Sequence, residues 1–68
     1  MHKAEDYTYR VFWSEEDQAF IATLDELPHL SSVEETEQAA LSSLEDLVKC
    51  VLGDMQASGE QAPVPIST

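Results

Sequence analysis

The 68-residue chain has few of the residues that staple small proteins together. Cys50 is its only cysteine, which excludes an intrachain disulfide, and with only His2 and His29 beside it no Cys/His set has the spacing of a structural zinc site. Basic residues are equally scarce: three Lys and Arg stand against fourteen Asp and Glu, a formal charge of −11. DNA, RNA and anionic membranes would repel such a chain, so direct nucleic-acid or membrane binding is not expected and a basic partner is the natural complement. No apolar run approaches the roughly 20 residues of a bilayer span, and the opening MHKAEDYTY has no apolar signal core. With a lone thiol as well, a cytoplasmic protein is expected. Nothing in the sequence asks for a cofactor. A single domain over 1–68 buries only about 60% of its unfolded surface. Without disulfide or metal, oligomerisation is the remaining source of stability, and a homo-oligomer is expected.

What is present is patterned. YTYRVFW, Tyr7 to Trp13, alternates, with Tyr7, Tyr9, Val11 and Trp13 on one side and Thr8, Arg10 and Phe12 on the other, which predicts a first strand. SEEDQ, Ser14 to Gln18, has hairpin-loop length, and AFIATL, Ala19 to Leu24, supplies the antiparallel return strand. After the Leu27-Pro28 bend, Leu30 to Val33 is a short third strand. From Ala40 to Met55 the apolar period becomes helical, with Leu41, Leu44, Leu47, Val48, Val51 and Leu52 in the stripe. Thr36 is the expected N-cap, although Ser32 with Glu35 forms a rival capping box; Gly59 suits the left-handed position after a helix ending near Ser58, and Gly53 weakens the interior.

The closing Pro63-Val64-Pro65-Ile66 lacks backbone N–H groups at two alternate positions, which fits an edge strand blocked on one side and returning to the sheet after the helix. A disordered Pro-containing tail is the alternative. The expected fold is therefore α+β in the order β-β-β-α-β, an antiparallel sheet with one helix on one face.

In this order the motifs YTYRVFW, AFIATLDELPHL, EETEQAAL and SGEQAPVP resemble the HicB-like family, the antitoxin half of HicA/HicB toxin–antitoxin pairs. Leu27-Pro28, Thr36, Ala40, Gly59, Pro63-Val64-Pro65 and Phe20 fit the family pattern, whereas Asp25, Glu26, His29 and Glu34 depart from it. The resemblance implies a partial RNase H-like fold with the final strand beside the first, and a protein that masks a small basic mRNA-cleaving toxin. Typical family members carry a further C-terminal DNA-binding domain that represses their own operon, and the residues after Pro65 are too few to form one, so none is expected in this chain. A solitary dimeric HicB-like scaffold without a toxin is the alternative.

No enzyme is expected. Asp6, Asp25, Glu26, Glu45 and Asp46 are the carboxylates a two-metal nuclease would need, but they share no motif and read as solvated surface. The candidate partner-binding residues are Glu15, Glu16 and Asp17 on the hairpin tip, with Asp25 and Glu26 extending an acidic face, and Phe12, beside either Ile21 or Phe20 of the second strand, on the sheet side that the single helix leaves uncovered. Cys50 is expected to be a partly buried thiol in a strip of small residues with Ala39, Ser43 and Ala57, and His29 a solvated loop side chain.

Overall fold

The computed structural model describes residues 3–66 and forms its sheet from the alternating segments. Strands β1 (Tyr9–Ser14), β2 (Ala19–Leu24) and β3 (Ser31–Glu34) pair antiparallel in that spatial order, and helix α1 (Glu37–Ser58) packs on one face, an α+β arrangement. β1 starts later than the alternation implies because a 3-10 turn at Ala4–Asp6 precedes it, with Tyr7 donating its N–H to the Ala4 carbonyl.

The pairings Tyr9 with Leu24 and Val11 with Ala22 define the helix-facing side. Ala40, Leu44 and Val48, each one helical turn apart, press on it and are fully buried with Ala22 and Leu24. Each large aliphatic side chain so buried contributes about 1.5–3 kcal/mol. Ala4 and Leu27 close the end of this core.

Both helix ends follow local chemistry. The Thr36 hydroxyl accepts the Ala39 N–H at 3.1 Å, while the rival cap is unused because Ser32 donates its hydroxyl to the Ala40 carbonyl. Gly59 takes φ +77, and the N–H groups of Gly59 and Glu60 return to the carbonyls of Gln56 and Met55, a Schellman closure.

Two expectations are corrected. The 60–66 segment forms no strand, so no fourth strand lies beside β1 among the described residues. Its two prolines remove ladder donors, and side chains hold the segment instead: the Tyr7 hydroxyl donates to the Pro63 carbonyl at 2.8 Å and the Ile66 N–H donates to the Glu26 carboxylate at 2.8 Å. Cys50 is exposed rather than partly buried, since it lies on the helix side turned away from the sheet. His2, considered above as a metal ligand, lies outside the described residues.

Candidate functional site

The β1–β2 turn projects Glu15, Glu16 and Asp17 into solvent. Ser14 and Asp17 bond each other, and Gln18, in the left-handed region at φ 52, donates its amide to the Glu15 carbonyl, so the tip is a closed local structure. Trp13 adjoins it. The indole lies edge-on to Phe20 at 5.1 Å between ring centres yet is 45% exposed. Expected under the helix, it sits in the row Trp13–Phe20–Glu34, one row beyond the point where Ser32 bonds the first buried residue of α1, Ala40.

β1 is an edge strand. Asp25 donates its N–H to the Thr8 carbonyl, so Arg10, Phe12 and Ser14 turn their backbone groups toward β2 while Tyr9, Val11 and Trp13 turn theirs outward. Among the described residues no strand pairs with that edge.

The acidic residues do not form one face. β2 separates the tip from Asp25 and Glu26 by about 20 Å, at roughly 3.3 Å per residue. Asp25 is also neutralised locally, since Arg10 bonds it through Nε and Nη2 at 2.8 and 3.0 Å; those hydrogen bonds hold its carboxyl below the usual aspartate range despite some desolvation. Glu26 is not free surface. Its carboxylate accepts the Thr8 N–H, the Thr8 hydroxyl and the Ile66 N–H, tying β1, the turn after β2 and the tail together. Burial pushes this carboxyl up, but the hydrogen bonds outweigh it and the group titrates below the usual glutamate range.

Beside this junction the tyrosines are held neutral. Burial, then the charges of Glu45 and Glu26, push Tyr9 up to about 12, and its hydroxyl donates to the Ala4 carbonyl. Burial and Glu26 raise Tyr7 as well.

Phe12 lies where the alternation puts it, on the open face and 49% exposed. The register settles its neighbour as Ile21 rather than Phe20, and adds Val33 on the far side. A separate groove of about 710 Å³ lies between the 3-10 turn, the second half of α1 and the tail, with Ala4, Leu52, Met55 and Val64 among its lining and Lys3 and Lys49 also contributing.

Among the described residues no three His, Cys, Asp or Glu side chains gather as a metal set, and no helix is long and apolar enough to cross a membrane. No protein-family model matches the chain, and no curated protein or solved structure matches it.

Proposed function

We propose that the chain acts by binding rather than by chemistry, as an antitoxin-like cytoplasmic protein that masks a small basic mRNA-cleaving toxin. The hairpin tip carries this reading: Glu15, Glu16 and Asp17 stand exposed at the end of an unpaired edge strand, with the half-exposed Trp13 beside them. Exposed carboxylates steer a basic protein into encounter, and tryptophan is among the residues most enriched where interfaces concentrate their energy. The outward N–H and carbonyl groups of Tyr9, Val11 and Trp13 offer a partner main-chain bonds as well. The HicB-like motifs support the same reading. Asp25 and Glu26 contribute less, being engaged within the chain.

The test is a binding assay against a short basic protein encoded by the neighbouring reading frame. Neutralising the tip as Glu15→Gln, Glu16→Gln and Asp17→Asn together should slow association about tenfold at low salt and flatten its salt dependence. Trp13→Ala should speed dissociation. Kinetics unchanged in both variants would remove the tip from the interface. Absence of any such neighbour would favour the second reading, a solitary dimeric interaction domain, which the uncovered Phe12 side of the sheet supports.

A further inference from the structure

The face of the sheet opposite α1 is crossed by one apolar row. Phe12 pairs with Ile21 and Ile21 with Val33, so the three side chains lie abreast on the three strands. Phe12 and Val33, the ends of the row, are 49% and 51% exposed. The adjoining rows, Arg10–Thr23–Ser31 and Ser14–Ala19, carry only small, uncharged side chains apart from Arg10.

Charge identifies the occupant. In a chain of net charge −11, the strand positions on this face carry no acid, and their single base, Arg10, is matched by Asp25 at the margin. The face is thus an electrically neutral patch on an otherwise acidic surface. A basic protein gains nothing there that the hairpin tip does not offer better, and the chain's charge repels an anionic membrane. Two copies of so acidic a chain, by contrast, can approach closely only where neither presents net charge. From this complementarity we infer that the open face is the contact between two copies of this chain, packed sheet to sheet with the Phe12–Ile21–Val33 row at its centre.

The geometry suits a two-fold. An axis running along β2 between the two sheets would set the large Phe12 of each copy over the smaller Val33 of the partner subunit, and sheets packed this way lie about 10 Å apart. Two strands about 20 Å long and a third of about 13 Å, ~4.8 Å apart, present a small face, below the roughly 800 Å² per partner of a standard interface. The dimer is therefore one that dissociates on dilution in the micromolar range. The contact leaves the hairpin tip and the β1 edge free, so it holds whether or not a toxin partner exists.

Sedimentation velocity of the full chain from about 1 µM to 1 mM tests this, with reductant present because the exposed Cys50 could otherwise link copies covalently. The parent should pass from monomer to dimer across the series, and more readily at higher salt as self-repulsion is screened. Phe12→Asp and Val33→Asp should each weaken association at least tenfold, while Leu47→Asp, on the exposed flank of α1, should leave it unchanged. Far-UV circular dichroism shows whether each variant is folded, and Phe12→Thr, which keeps a strand-compatible residue, gives the same comparison should Phe12→Asp unfold. A folded parent that stays monomeric at 1 mM overturns the inference, as does association lost in Leu47→Asp but kept in the Phe12 and Val33 variants.

Discussion

The two faces of the sheet are made of the same three strands, and they differ by one residue of phase. Ala22 and Leu24 face the helix and lose essentially all contact with water, while Phe12 and Val33, on positions of opposite parity, keep about half of theirs. A pleated strand always has two sides, and a chain with one helix can close only one of them. The covered side can therefore be judged by the stability of the isolated chain. The open side should instead be judged by its association.

The largest expected effect separates the faces directly. Leu24→Ala should cost about 2–5 kcal/mol, comparable with the whole stability of a domain this size, and leave a chain that no longer unfolds cooperatively on heating. Val33→Thr in dilute solution should change the melting free energy by less than about 0.5 kcal/mol. A large loss from Val33→Thr under those conditions would mean that the open face is closed within the chain.

Next in size is Glu26, which joins the two ends of the chain at the margin of the sheet. Glu26→Ala should destabilise by about 1–2 kcal/mol, allowing for partial solvent screening. Its folded pKa lies below the ordinary value of 4.5, so its contribution is fully present above that value and is lost as pH falls through the folded pKa. Denaturant midpoints measured between pH 7 and pH 3 should fall less steeply in Glu26→Gln than in the parent. At the other extreme Tyr9 works with the opposite sign. Its raised pKa favours the neutral phenol, so its contribution is intact below pH 10 and is lost as pH rises toward about 12. Tyr9→Phe should blunt the alkaline loss of stability over that window.

The smallest effect is a gain. A Cβ at Gly53 would meet nothing within 4 Å, so Gly53→Ala should stabilise α1 by up to about 1 kcal/mol, read as a raised melting temperature. The same change at Gly59, where φ is +77, should destabilise instead.

What the sequence disclosed was set by how local the cause is. Thr36 and Gly59 end the helix through bonds to residues three to five positions away, so both caps could be named from the chain. The alternation of β1 placed Phe12 outside, but choosing Ile21 over Phe20 needed the strand register. The course of the tail is not legible in the sequence because its partners are distant: Tyr7 reaches Pro63 across 56 positions and Glu26 reaches Ile66 across 40. No composition or period encodes such contacts. For the same reason Glu26 read as open acidic surface, and the exposure of Trp13 depended on where the first turn of α1 meets the sheet.

The central claim, that the face left open by the single helix is where the chain meets its own copy, is tested most directly by amide chemical shifts followed through a dilution series. Self-association through the open face should give concentration-dependent shifts along the strands at residues 10–12, 21–23 and 31–33, with residues 15–17 and the groove side of α1 unmoved. Shifts centred on the hairpin tip or on the groove, or spectra of a folded chain that do not change with concentration, would contradict it.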